Sequence, residues 1–214
     1  EDISDTGTPI YLSDDDYEQV TLPFNFSFYD IVQNEIKISS NGFLTFGSDG
    51  TDYSNDYIPE SNDPNDFIAP FWDDLNPSLG GTIYYWSDSE RFIVQYDGIS
   101  HYGSGGPYTF QVILNQNGSI LYQYLNMNSP TNSATIGLEN SDGSDGLQVA
   151  FNTDYIHDDL AIQLSEAPTW LTVDQLSDSL SANTTDSIKV YFSPGSLCEG
   201  NYTADIELNF DFTD

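Results

Sequence analysis

The stretch that decides the fold reads Phe67-Ile-Ala-Pro-Phe-Trp-Asp-Asp-Leu-Asn-Pro77. Its large apolar side chains are typical of a core β-strand, because burying each of them stabilises a fold by roughly 1.5–3 kcal/mol. Two adjacent carboxylates interrupt them, and an unpaired buried carboxylate costs several kcal/mol. We therefore expect the chain to be buried from Phe67 and to reach the surface at Asp73. Pro70 indicates an edge strand or a bulge, because proline cannot donate a backbone hydrogen bond.

Alternation of apolar and polar side chains continues on both sides of this stretch. Every second residue of Val20–Phe28 is apolar, which is typical of a half-buried strand. Asn41-Gly42 and Asn117-Gly118 each lie between apolar runs and predict two hairpins. Further short runs follow at Thr82–Trp86, Arg91–Ile99, Tyr108–Leu114, Ile120–Leu125, Ala134–Leu138, Leu147–Phe151 and Leu160–Leu164. This spacing, without helical periodicity, predicts an all-β fold, with an antiparallel β-sandwich or jelly roll over residues 1–166.

Ala167-Pro168 is the predicted boundary of a second, smaller domain. Beyond it, Trp170–Val173, Ser187–Phe192 and Asn201–Phe210 are typical of three more strands separated by polar turns. So short a segment is small for an independent β domain. We therefore expect residues 167–214 to form an incomplete immunoglobulin-like domain.

The charge of the chain restricts what it can bind. It has 3 Lys+Arg against 35 Asp+Glu, for a net charge of -32, which excludes nucleic acid and anionic membrane surfaces as partners. Hydrophobic residues make up 38% of the chain, so the acidity does not indicate disorder. No run of about 18 apolar residues occurs, so we expect no membrane insertion. The acidity indicates either adaptation to salt or a requirement for divalent cations.

Calcium is the cofactor that the acidic clusters favour. It takes about six to eight oxygen ligands from carboxylates, amides and carbonyls. The predicted metal ligands are Asp14, Asp15, Asp16, Asp73, Asp74, Asn76, Asp142 and Asp145. A competing interpretation remains open for each cluster, in which Asp and Asn side chains bind the backbone of their own turn.

Several segments carry a family resemblance: Leu22–Tyr29, Ile38–Phe46, Ile68–Leu75, Phe110–Leu114, and Ala134–Glu139 with Asp145–Gln148. Together they resemble the acidic β-rich modules that accompany proteases and other large secreted or surface proteins of bacteria and archaea. The middle part is similar, more distantly, to the extracellular domain of nidogen-type matrix proteins, and the tail resembles immunoglobulin-like repeats. The resemblance implies a secreted or cell-surface location and an accessory role without an active site.

Three classes of function differ in the residues that they need. An enzyme is the least favoured class, because the only histidines, His101 and His157, have no nucleophile motif nearby and are expected at the surface. If the chain were an enzyme, we would expect a glycoside hydrolase that uses paired carboxylates. An accessory or adhesion module would bind an extracellular protein or neighbouring domains of its own polypeptide. A carbohydrate-binding module would stack sugars on exposed rings, and its predicted residues are Tyr84, Trp86, His101 and Tyr102. Joint exposure of Trp86 and Tyr102 would favour the glycan interpretation.

Overall fold

The computed structural model describes residues 1–47, 49–165, 171–174, 185 and 187–193. The chain divides into two compact units, Glu1–Ser165 and Glu166–Asp214. Among the described residues, no helix is long and apolar enough to cross a membrane.

The described part of the first unit consists of short strands and one turn of 3₁₀ helix at Pro77–Leu79. The strands are β1 (Thr8–Ile10), β2 (Tyr17–Phe28), β3 (Ile31–Ser39), β4 (Leu44–Thr45), β5 (Phe67–Trp72), β6 (Thr82–Ser87), β7 (Arg91–Ile99), β8 (Tyr108–Asn115), β9 (Ile120–Met127), β10 (Thr135–Glu139), β11 (Gly146–Phe151) and β12 (Leu160–Leu164). In the second unit, β13 (Leu171–Val173) pairs with β14 (Val190–Phe192).

Two six-stranded sheets form the first unit. The first sheet has the order β1-β6-β7-β8-β9-β12, and the second has the order β11-β10-β5-β4-β3-β2. Every neighbouring pair is antiparallel. The sheets share one hydrophobic core, so the prediction of an all-β antiparallel sandwich is confirmed.

The alternation in β2 produces the burial that the sequence predicts. Four of its apolar side chains are buried in the common core: Leu22, Phe24, Phe26 and Phe28. The residues between them are exposed. The strand lies at the edge of the second sheet, where Pro23 removes no required donor.

Three tyrosines of the first sheet reach across the core to the second sheet. Tyr96 donates its hydroxyl hydrogen to Ser39 O over 2.8 Å. Tyr122 and Tyr124 each donate over 2.7 Å, to Gly137 O and Pro70 O respectively. Buried hydroxyl groups therefore find partners across the interface between the layers, as buried polar groups require.

β5 is a central strand, and the expectation that Pro70 marks an edge is wrong. All six residues of β5 are buried, and the strand lies between β10 and β4. The alternative expectation of a bulge is the one that fits, because the ladder with β10 changes register between Thr135 and Gly137. This irregularity lies opposite Pro70, which has no amide hydrogen to donate.

Phe71 and Trp72 point to opposite faces of the sheet, and the bulge at Pro70 shifts the alternation so that Trp72 lies on the same face as Phe67 and Ala69. Phe71 packs in the common core. Trp72 packs on the other face in a smaller cluster with Phe43 and Phe67. Both faces of this strand are therefore covered.

The immunoglobulin-like domain stays a prediction. The predicted boundary at Ala167-Pro168 and the predicted strand at Asn201–Phe210 both lie outside the residues that the structure describes.

Candidate functional site

Two acidic clusters that are distant in the sequence meet at one end of β5. Carboxylate oxygens of Asp14, Asp15 and Asp74 lie within 4.8 Å of one another. Asp73 and His101 lie beside them, with His101 Nε2 3.4 Å from Asp73 Oδ2. We call these five residues the acidic junction. It joins the segment after β1, the end of β5 and the loop after β7.

Asn41 organises the acidic junction from a fully buried position. Its Nδ2 donates to Asp15 Oδ1 over 3.0 Å and to Thr51 O over 3.2 Å. Its Oδ1 accepts from Leu75 N over 3.1 Å, and its backbone oxygen accepts from Asp73 N over 3.2 Å. The sequence predicted the hairpin at this Asn-Gly pair but not that its loop is buried and binds the junction.

Gly42 allows this loop to approach β5. Its φ is +76°, and a Cβ at this position would lie 1.9 Å from Phe71 O. Only glycine fits both the backbone conformation and the space.

Asp73 does not reach the surface, so that expectation is wrong. The residue is 4% exposed, and its side chain has three polar neighbours. Oδ1 accepts from Asp74 N over 2.9 Å, and Oδ2 accepts from Ser133 Oγ over 2.6 Å. The third neighbour is His101, whose side chain is 17% exposed, so the expectation of a surface histidine is also wrong there. His157 is exposed, as predicted.

Among the described residues, no lysine or arginine forms a salt bridge with the carboxylates of the acidic junction. Asp14 Oδ1 is buried and has no hydrogen-bond partner among the residues that the structure describes. Burial, followed by the charge of Asp15, raises the pKa of Asp14. The pKa of Asp74 is raised by burial and then by Asp15 and Asp14, and His101 offsets this only in part. Such a set of oxygens can bind a divalent cation, with carbonyls and water supplying further ligands.

The other predicted metal ligands bind the backbone or side chains of their own turns. Asp16 accepts from Ser13 N and Tyr17 N, and Asn76 accepts from Ser78 N at the start of the 3₁₀ helix. Asp142 accepts from Ser144 N over 3.2 Å. Asp145 pairs through its backbone with Asn140. The turn interpretation therefore accounts for the side chains of Asp16, Asn76 and Asp142, whereas Asp145 takes part in its turn through its backbone.

The predicted glycan-binding residues differ in exposure. Tyr84 and Trp86 are half-buried and pack against a cluster that contains Ile3. The Arg91 guanidinium lies 5.3 Å from the centre of the Trp86 ring. Tyr102 is 53% exposed. Trp86 and Tyr102 are therefore not exposed together, which was the observation that would have favoured the glycan interpretation.

A cavity of about 180 Å³ lies beside β10, and the sequence analysis missed it. At its base is Glu139, which is 1% exposed and whose Oε2 accepts from Glu60 N over 2.7 Å. Burial is the main reason that the pKa of Glu139 is raised to about 7. The one available signal was an acidic residue at the end of the otherwise uncharged run Thr135–Glu139.

Comparison with known proteins places most of the chain in a family. The profile of the NIDO-related family matches residues 1–170. Alpha-tectorin of Mus musculus is 25% identical over 165 residues, and alpha-tectorin of Homo sapiens is 24% identical over 165 residues. Each alignment covers 63% of this chain and 8% of the relative, so the chain spans less than a tenth of these relatives. No solved structure matches the chain significantly.

Proposed function

The chain belongs to the NIDO-related family, and from this premise we propose that it is a non-catalytic extracellular module of a larger secreted or cell-surface protein. The curated relatives are far longer than the aligned region, which supports one module among several. The similarity to the extracellular domain of nidogen-type matrix proteins supports the location. Association with a protease in the same polypeptide rests on the sequence resemblance alone.

The acidic junction is the observation that carries the structural part of this proposal. It gathers three segments of chain that are far apart in sequence, and Asn41 connects two of them, the segment after β1 and the end of β5, by hydrogen bonds. We place a calcium ion between Asp14, Asp15 and Asp74. Two observations support this placement: within the described residues, the buried Asp14 Oδ1 has no partner, and the pKa of Asp74 is raised. A divalent cation would supply a partner for the oxygen and would stabilise the ionised form of Asp74. Calcium would then connect the loops at this end of the sandwich.

The partner of such a module is an extracellular protein or a neighbouring domain of the same chain. With a net charge of -32, a basic protein surface is the complementary one. Calcium bound at the acidic junction would order the loops there without taking part in chemistry.

Calorimetric melting with and without calcium tests the proposal. Millimolar CaCl₂ should raise the melting temperature more than NaCl of equal ionic strength, because a site-bound ion stabilises the folded state by mass action. Asp74→Asn should remove this excess, and Asp142→Asn, outside the junction, should retain it. Equal shifts by the two salts would exclude a specific calcium site.

The non-catalytic part needs a separate assay. The purified chain should hydrolyse neither peptides nor glycans. Hydrolysis that a single Asp or Glu substitution abolishes would show the chain to be an enzyme.

A further inference from the structure

The cavity at Glu139 shares no residue with the acidic junction. Its lining residues range from exposed at the mouth to buried at the base. Tyr57, Asn62 and Asp63 on its wall are exposed, Asp52, Asp56 and Glu60 are half-buried, and Phe67, Trp72 and Glu139 are buried. Most of the wall comes from the long connection between β4 and β5. Glu139 lies opposite Phe67 in the ladder of β10 and β5. The second sheet therefore supplies a rigid base.

Only one carboxylate oxygen of Glu139 accepts a hydrogen bond within the part of the chain that the structure describes. Oε2 accepts the hydrogen bond from Glu60 N, whereas Oε1 accepts none within the part of the chain that the structure describes. A carboxylate that is 1% exposed normally has both oxygens satisfied. Glu139 lines the cavity, so its free lone pairs are available to a donor that enters from the mouth.

The wall combines negative charge with aromatic rings. Four carboxylates besides Glu139 line the cavity, those of Asp52, Asp56, Glu60 and Asp63. The rings of Phe67 and Trp72 lie edge to face with centres 5.2 Å apart, and Trp72 Nε1 donates to Asp52 O over 3.0 Å. Carboxylates attract a cation, and aromatic rings favour both a cation and an aliphatic stem.

The size of the cavity sets the size of the ligand. A volume of about 180 Å³ is many times the roughly 10–15 Å³ that a single water molecule needs. The volume is large enough for an unbranched alkylammonium group of the size of a lysine side chain.

We propose that the cavity at Glu139 binds a primary ammonium group on an unbranched aliphatic stem. The ammonium group would donate to Glu139 Oε1 at the base, and the stem would lie against Phe67 and Trp72. A lysine side chain of a basic partner protein and a free alkylamine present this same chemistry. The proposal concerns a site other than the proposed calcium site and does not depend on it.

Calorimetric titration with Nα-acetyl-lysine methylamide is the direct test. Nα-acetyl-norleucine methylamide has a similar stem without the ammonium group and should not bind. Glu139→Gln should weaken binding of the lysine compound at least tenfold, and Asp56→Asn should weaken it several-fold. Asp5→Asn removes one charge at an exposed residue outside the cavity and should leave binding unchanged. Equal affinity of Glu139→Gln and the wild type, with both folded by circular dichroism, would overturn the proposal.

Three further comparisons by titration distinguish the possible ligands of the cavity. Tighter binding of the lysine compound than of n-pentylamine supports a partner protein as the source, and the reverse supports a free amine. Failure of both to bind overturns the proposal. Preferential displacement of the lysine compound by CaCl₂, relative to NaCl of equal ionic strength, would show a metal site instead and would also overturn it.

The pH dependence provides a check on the group involved. Affinity should fall as the pH is lowered through about 7, because the ammonium group binds the ionised form of Glu139. The titratable groups that face Glu139 are Asp52, Asp56, Glu60 and Asp63 on the wall and Tyr29 from the turn after β2. Burial, then Asp145 and Glu139, raise the pKa of Tyr29 to about 12, so Tyr29 stays neutral throughout. Affinity that is constant between pH 5.5 and 8 would overturn the role of Glu139.

Discussion

Asn41 donates a hydrogen bond of 3.0 Å to Asp15 across 26 residues of sequence. The same amide group donates to Thr51 O, so one buried side chain holds an acidic turn and the connection after β4 together. A carboxylate in place of this amide would lose both donors and would add a negative charge beside Asp15. The acidic junction therefore depends on an uncharged residue.

Asn41→Asp should lower the free energy of unfolding by about 1–3 kcal/mol for each of the two lost donors. The matched control is Asn117→Asp in the other Asn-Gly pair. Asn117 is exposed and uses only its oxygen, which accepts from Ser119 N and Ser119 Oγ. The control should stay within about 0.5 kcal/mol of the wild type. Urea melting at pH 7 measures both, and equal effects would contradict the role of Asn41.

Phe71→Ala should lower the free energy of unfolding by about 3–5 kcal/mol, because it leaves a cavity in the common core. The Phe71 ring is fully buried, and its centre lies 4.9 Å from that of Tyr108 and 5.8 Å from that of Phe110. Tyr102→Ala, which removes an exposed ring, should change the free energy of unfolding by less than about 0.5 kcal/mol. Thermal and urea melting of the two variants distinguish these outcomes. A small effect of Phe71→Ala would show that the core can collapse around the missing ring.

Glu139 should make the folded state less stable as the pH rises. Its folded pKa of about 7 lies above the ordinary value of 4.5, so the folded state binds this proton more tightly than the unfolded chain. The resulting stabilisation is present below pH 4.5 and is lost as the pH rises through 7. Glu139→Gln removes this dependence. When the pH is raised from 4.5 to 8, the free energy of unfolding of the wild type should therefore fall by about 3 kcal/mol relative to that of the variant. Urea melting at the two pH values measures the difference, and parallel curves would contradict the raised pKa.

Tyr96→Phe should lower the free energy of unfolding by about 1 kcal/mol, because it removes the hydroxyl group that contacts Ser39 O and Phe43 O. Tyr53→Phe removes a hydroxyl group from a ring that is 54% exposed and serves as the control. Chemical denaturation should show no change for the control beyond about 0.5 kcal/mol. A loss as large at Tyr53 as at Tyr96 would refute the importance of the buried bond.

Much of the fold was predictable because it depends on local pattern. The alternation of β2 over Val20–Phe28 sets both the strand and its buried face, and the predicted limits of β12 agree with Leu160–Leu164. The central place of β5 was not predictable, because it depends on pairing with β10, more than 60 residues later.

The candidate site was predictable in its residues but not in its assembly. The sequence singled out Asp14, Asp15 and Asp74 as acidic residues in turns, but nothing in their spacing shows that the two turns meet. The burial of Asp73 depends on Ser133 and His101, which are distant in sequence. Glu139 was missed because a single acidic residue becomes informative only when its burial is known.

The three tyrosine hydroxyl groups that cross the core give the two sheets one defined alignment. Interdigitated apolar side chains already oppose sliding of one layer over the other, and the hydroxyl groups add directional bonds. The hydroxyl groups of Tyr96, Tyr122 and Tyr124 donate to backbone oxygens of the facing sheet, so sliding by one residue would break these bonds inside a buried interface. Under a pulling force parallel to the strands, the sandwich should therefore resist shear up to a sharp threshold and then yield abruptly.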